Sequence, residues 1–497
     1  MKSLISTLLL FNCIFTFAQV NIDGHKGIYD SRTKTYLISV PKFYQISNLP
    51  SDVLTTFLPI VKIEGNFGYE YSSGTVSVYM PDEEDKVAMK ANIKWRGGTT
   101  NASNKHKRNY KIKFDEDQQL FGLRKDNNWI LDAGQADLFR VRNRIATEIW
   151  NDMAHKPYYS NNEPEALSGV RGRMVELFLN DEYRGIYCLT ENMDRKELKV
   201  KKIDNITGNI RGCLWKGKSY QSTLMYDCPT DYNNYSEVWQ GFEVKYPDLN
   251  DTEETEWYTL WNAINFVANS NNQEFIEHIA DYFDIPVLID YFIFMDVLNV
   301  LDNDGKNMYW AVYDKNKDKK LTLGVWDLDA SVGQKWLEKY VSGASSAEYE
   351  KSVSMNIYKR LIELNVDNFN NKIKERYHEL RNSILTIDKI TQRYIDYYTD
   401  MKLSGAAQRE EKLWSRDTDI DGNILDFDLE ISYIQSWIKQ HIEYIDKNKY
   451  NITGIKDLFY NKKSNSNYYN MNGQLINPTI AFKKGVYIKN CRKIVIK

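Results

Sequence analysis

Cysteine is sparse, at 5 in 497 residues. No CxxC pair and no Cys/His zinc spacing occurs, which excludes a structural zinc module. Net charge is low as well. At −3, the chain lacks the electrostatic footprint of a general nucleic-acid binder. Long apolar runs are missing beyond the N-terminus. The longest candidates are broken by Asp290 and Asp296, so no transmembrane segment is expected.

What is present begins with a secretory leader, residues 1–18. Lys2 supplies the positive start, Leu4 to Phe17 the apolar run, and Thr16-Phe17-Ala18 a small-residue cleavage site before Gln19. Cys13 follows Asn12, a poor residue before a lipidated cysteine. The expected destination is secreted or cell-surface. In an oxidising compartment Cys213 and Cys228 are candidates for a disulfide, worth about 3 kcal/mol for so short a loop. Tyr is abundant, at 35, which suits β-rich surfaces and ligand platforms without naming a ligand.

The stretch from Ile289 to Gly333 carries the most chemistry. An apolar helical run, Ile285 to Leu298, feeds a polar loop, Leu301 to Asn307. Two strands follow, Met308 to Tyr313 and Leu321 to Trp326, the second ending on Asp327-Leu328-Asp329. A hairpin of this kind brings Asp302, Asn307, Asp327 and Asp329 to one rim. Carboxylates and a carboxamide without Cys or His suit a hard cation such as Mg²⁺. Asp302-x4-Asn307 also has the spacing of a kinase catalytic loop, in which the Asp takes the hydroxyl proton and the Asn holds a metal. The plain alternative is a turn rich in Asn, Asp and Gly.

Upstream, alternation predicts strands over Leu58–Ile63, Thr75–Tyr79, Ala88–Trp95, Tyr110–Phe114 and Trp129–Leu131. Arg96-Gly97-Gly98-Thr99-Thr100 is a turn whose amides, followed by Lys and Arg, suit phosphate; a plain hairpin turn with a solvated basic edge is the other reading. Helical spacing covers Leu138 to Ala154. Arg140 and Arg142 oppose its dipole, so they are expected to face a partner or ligand. Val175–Leu179 and Gly185–Thr190 form a hairpin ending at Glu191, and Leu198 to Tyr246 reads as an insertion between strands. Helices are expected over Ile357–Leu364, Phe369–Leu385, Ile387–Tyr398 and Leu429–Tyr444. From Asn461 a linker leads to a short β tail.

In order, RGGTTN from Arg96, KRNYKIKF from Lys107, FRVRN to Asn143, VELFLNDEYRGIYCLTE to Glu191, KYPD from Lys245, the Asp302 to Asn307 loop and WDLDASVG from Trp326 resemble the spore-coat CotH kinase family. The resemblance implies an α+β, diverged protein-kinase-like bilobal fold. A β-rich N-lobe spans about 57–135, and a mostly helical C-lobe completes a domain over 57–448. Residues 19–56 form an N-terminal extension. The resemblance further implies Asp302 as catalytic base, Asn307, Asp327 and Asp329 at the metal, and Lys111 or Lys113 as the phosphate-contacting lysine. Arg96, Arg108, Arg142 and Glu191 complete the nucleotide-contacting set. ATP and Mg²⁺, with Mn²⁺ as substitute, are the implied cofactors. Two departures stand out: Gly98-Thr99-Thr100 replaces Asn-Ser-Ser, and Asp304 replaces a residue that is often Pro. Residues 449–497 end in a tail similar to a type IX secretion signal.

Two functions compete. One is an exported Ser/Thr protein kinase acting on protein hydroxyls. The other is a non-catalytic surface or matrix protein that keeps the fold and binds protein or glycan through its Tyr- and Trp-rich faces. A two-carboxylate glycosidase has no motif behind it.

Overall fold

A computed structural model describes residues 58–79, 85–335, 346–349 and 353–451, together with the backbone of short strands nearer the two ends. Residues 1–17 of the leader, with Cys13, and Cys491 fall outside these residues, whereas the expected short β tail is there as the strands Tyr468–Asn470, Leu475–Ile476, Gly485–Lys489 and Arg492–Ile496.

Alternating sequence becomes seven strands: β1 (Ile60–Glu64), β2 (Ser72–Tyr79), β3 (Lys86–Arg96), β4 (Asn109–Gln118), β5 (Asp126–Asp132), β6 (Gly172–Leu179) and β7 (Glu182–Glu191). They close into a barrel in the order β5-β7-β6-β1-β2-β3-β4. Neighbours are antiparallel except β6 and β1, which run parallel with Glu176 opposite Ile60. Closure leaves no open sheet edge. The interior is apolar, with Val61, Ile93, Ile112, Trp129, Val175 and Tyr187 among its residues. A side-chain period of two then turns Lys94, Arg96 and Lys111 to the outside. The β-rich part was expected to end near residue 135. Instead the barrel takes in the β6–β7 hairpin, because Val175, Leu177, Tyr187 and Leu189 share its core.

The second sheet has five strands: β8 (Cys213–Gly217), β9 (Val238–Trp239), β10 (Phe242–Tyr246), β11 (Met308–Val312) and β12 (Leu321–Val325). Their order is β9-β10-β8-β11-β12, so β8 lies at the centre. The segment expected to be an insertion therefore supplies the middle strand of this sheet. Around it pack α1 (Arg142–Met153), α2 (Tyr258–Asn269), α3 (Asn272–Tyr282) and α4 (Ile285–Leu298). The C-terminal part adds α5 (Asn356–Glu363), α6 (Phe369–Arg381), α7 (Ile387–Leu403), α8 (Ala406–Trp414) and α9 (Phe427–Asn448). Every residue of α4 from Val287 onward is buried, as its unbroken apolar sequence requires. No helix among the described residues is long and apolar enough to cross a membrane.

Two expectations are corrected here. Cys213 and Cys228 are free thiols, not a disulfide; Cys213 is committed to the buried face of β8. The cations at the start of α1 face acids of the protein itself. Arg142 pairs with Asp137 and Glu430 at 2.7 and 2.6 Å, and Arg140 with Glu410 at 2.7 Å. Asp137 also accepts the Arg142 backbone N–H at 2.7 Å, so a carboxylate does meet the positive helix end.

Candidate active site

Two acid-bearing loops meet at one end of the second sheet. The first begins where α4 stops on Asn299, in left-handed conformation at φ 50. It passes through a single turn, Leu301–Asn303, and enters β11 by way of Gly305 (φ 79) and Asn307 (φ 54). The second leaves β12 through Asp327, also left-handed at φ 61. Asn and Asp tolerate this region better than bulkier residues do, and here it aims both side chains off their strands.

Buried hydrogen bonds tie the loops together. Asn303 Nδ2 donates to the Trp326 carbonyl at 2.7 Å and to the Asn307 carbonyl at 3.3 Å. Leu301 N–H donates to the Ala330 carbonyl at 3.1 Å, and Asn307 N–H to the Gly217 carbonyl at 3.0 Å. A third element joins them. Asn143, in the first turn of α1, donates to Asp132 Oδ2 at 2.8 Å and accepts from Leu328 N–H at 3.1 Å. Asp132 ends β5, so the barrel contributes an acid to the same place.

Asp302 is 8% exposed. Its Oδ2 accepts from Asn307 Nδ2 at 2.8 Å and from Lys306 Nζ at 3.0 Å, and its Oδ1 accepts from the Tyr220 hydroxyl. Asp327 is open to solvent, yet burial is the first cause raising its carboxyl above the usual range. Asp132 and Asp302 add to the rise; Lys216 and Arg96 oppose it. Accessibility and desolvation agree for an acid on a cleft floor, which water reaches while protein surrounds it. Asp329 is held well above the usual range by burial first, then by Asp327, Asp132, Asp137 and Asp302, all of them acids.

Facing this floor is a basic wall. Arg96 lies over the Trp326 ring at 5.2 Å. Burial pushes the Lys216 amine down to about 8; Asp327 opposes the shift, and Lys245 and Arg96 reinforce it. Lys111 is lowered by burial, then by Arg96, Lys245 and Lys94. The barrel thus supplies Arg96 and Lys111, and the second sheet supplies Lys216 and Lys245.

The structure brings together Asp302, Asn307, Asp327, Asp329, Arg96 and Lys111. Lys113 is exposed on β4, opposite Asn92 and Asn128 and one step further along the strand. Arg108 stacks on Trp95 at 3.8 Å and donates to the Ser103 carbonyl at 2.8 Å, closing the Gly- and Thr-rich turn on itself. Arg142 is held by the buried pairs described above. Glu191 is held by Arg171 at 2.7 Å and by the Arg124 N–H at 2.8 Å. Asp304 accepts the Ser354 N–H at 2.8 Å. Residues absent from the expected set are Asp132, Lys216, Lys245 and Tyr220. Asp132 had a readable signal, an acid closing an apolar strand as Asp327 does.

The floor suits a hard divalent cation. Its donors are all oxygen, and burial, with the neighbouring acids adding to it, raises Asp327 and Asp329, a cost that a bound cation relieves. A second cluster, His106, Asp417 and Asp419, has ligand atoms within 4.8 Å of one another. Asp419 there already accepts the His106 and Lys107 N–H groups, both at 2.7 Å.

A pH effect follows with a defined sign. Asp327 and Asp329 bind protons more tightly folded than unfolded. Stability therefore falls as pH rises above their unfolded pKa of about 4. Mg²⁺ or Mn²⁺ should raise the melting temperature at pH 8 and do so much less at pH 5, where protons compete. Differential scanning fluorimetry at the two pH values checks this; equal shifts at both would place the cation elsewhere.

A family model described as CotH kinase protein matches residues 93–445. No curated protein matches the chain.

Proposed function

Since the chain belongs to the CotH kinase family, we propose that it is an exported Ser/Thr protein kinase. It transfers the ATP γ-phosphoryl group to protein hydroxyls with Mg²⁺. In this reading the barrel and the helical remainder are the two lobes of a diverged kinase-like fold. The observation that carries it is the gathering of acids and cations within electrostatic reach: Asp132 and Asp302 crowd Asp327, Lys216 and Arg96 oppose them, and Lys245 and Arg96 act on Lys216 and Lys111 in turn. A polyanion that arrives with a divalent cation needs both. Asn307, Asp327 and Asp329 would hold the metal, which would offset the charge of the nucleotide phosphates. Asp302 accepts the proton of the incoming hydroxyl. Of the two candidate lysines, Lys111 takes the phosphate role, since it feels Arg96 and Lys245. Lys216 joins it. Secreted or cell-surface location rests on the leader at residues 1–18, and processing on the type IX-like tail.

Transfer of radiolabel from [γ-³²P]ATP to a protein acceptor tests the reading, and its pH dependence tests the wall. Lys216 loses its charge as pH passes about 8. Mg-ATP affinity should fall above that pH, by at most about tenfold per pH unit. Lys216→Arg, which keeps its charge, should flatten the profile. An unchanged profile in the variant would remove Lys216 from the phosphate site.

The scaffold reading has one observation behind it. Tyr232, Tyr258 and Trp261 form an aromatic cluster with centroids 5.7 to 6.3 Å apart. Tyr232 and Tyr258 are 37% and 40% exposed, a face suited to a sugar ring or an apolar side chain.

A further inference from the structure

The hydroxyl closest to the proposed base belongs to the protein itself. Tyr220 opens a single helical turn, Tyr220–Thr223, directly after β8. Its hydroxyl donates to Asp302 Oδ1, while Oδ2 of the same carboxylate faces Asn307 and Lys306. Lys306 Nζ also lies 5.1 Å from the Tyr220 ring centroid. The position is built. Thr223 Oγ1 donates back to the Ser219 carbonyl at 2.7 Å. Lys218 N–H donates to the Gly241 carbonyl at 2.7 Å, and the Gly217 carbonyl accepts from Asn307 N–H at 3.0 Å. Tyr220 is 38% exposed, so the phenol is not locked into the core. A hydroxyl on the general base, beside a lysine and next to a metal-binding carboxamide, has the surroundings that a phosphoryl acceptor requires.

We infer that Tyr220 is an intramolecular phosphorylation site of this protein, a phenol that its own fold holds on the base whatever the preference for Ser/Thr in other substrates, and the inference rests on the kinase reading above. In the step, the Tyr220 oxygen bonds to the γ-phosphorus of ATP, the bond from that phosphorus to the β–γ bridging oxygen breaks, and ADP leaves. The phenolic proton passes to Asp302. The product carries about −1.5 to −2 charges at neutral pH. Once Asp302 has released that proton to solvent, its charge repels the phosphate across the short contact. On this inference that repulsion moves the Tyr220 turn off the base and opens the acceptor position to other substrates.

The test is incubation of the full chain with Mg-ATP, followed by peptide mapping by mass spectrometry. Phosphate is expected on the peptide carrying Tyr220, with a rate constant independent of protein concentration. Asp302→Ala should lower that rate by about 10²–10⁴-fold. Tyr220→Phe should abolish labelling of that peptide. Phosphate on other residues or on added casein, with none at Tyr220, overturns this inference and leaves the kinase reading standing; Mg-ATP binding with no transfer to any acceptor overturns both. Failure of the wild type to bind Mg-ATP overturns both.

Discussion

Asp302→Ala should leave Mg-ATP binding nearly intact and cut phosphoryl transfer by about 10²–10⁴-fold, the usual cost of a lost general base. Asp327→Ala should instead weaken Mg²⁺-dependent nucleotide binding, since it removes a charged ligand. The geometry separates the two roles. Both Asp302 oxygens are already engaged by protein donors, Tyr220 on one side and Asn307 with Lys306 on the other. Such a carboxylate is placed to receive a proton and has little left for a metal. Asp327 is solvent-accessible, raised in pKa by burial, and opposed by Lys216 and Arg96. It is an acid held ready for a cation. Calorimetry with Mg-ATP beside turnover on both variants checks the split. Equal loss of binding in the two would make Asp302 a metal ligand.

The second large effect concerns stability. Glu430→Ala should cost about 3–5 kcal/mol, because it strands the fully buried Arg142 without one of its two counter-ions. Chemical denaturation read at two probes measures it. Nucleotide affinity of the folded variant should not change, since Arg142 is held inside by Asp137 and Glu430. Intact stability with lost affinity would return Arg142 to the nucleotide.

That pair also shows where sequence reading ends. Arg142 was expected to face a partner or ligand because a cation in the first turn opposes the helix dipole. Its partner Glu430 lies 288 residues away, and local pattern cannot see such a distance. Glu410, which meets Arg140, is likewise 270 residues distant. Features built from neighbours were legible. The alternation of β6 and β7, the apolar run of α4 and the hairpin carrying Asp302 to Asp329 each follow from a period or a turn. The middle strand β8 was not legible. Its five residues, CLWKG, sit in a segment rich in Gly, Asn and Tyr, and their strand character comes from pairing with β10 and β11 on either side. Missing β8 meant missing Lys216 and the placement of Tyr220. Asp132 was missed for a related reason: only closure of the barrel and the Asn143 bridge bring it to the loops. Helix α8, outside the expected set, lies between two expected helices and carries the Glu410 that holds Arg140 and Lys107.

In the proposed reading, the acids around Asp327 and the cations Arg96, Lys111, Lys216 and Lys245 together form a site for a metal-bound nucleotide. Titration of ATP into the wild-type protein by calorimetry, with and without Mg²⁺, tests it most directly. The account predicts saturable one-site binding that depends on the metal. Absence of binding with Mg²⁺ present, or the same affinity after EDTA, would contradict it.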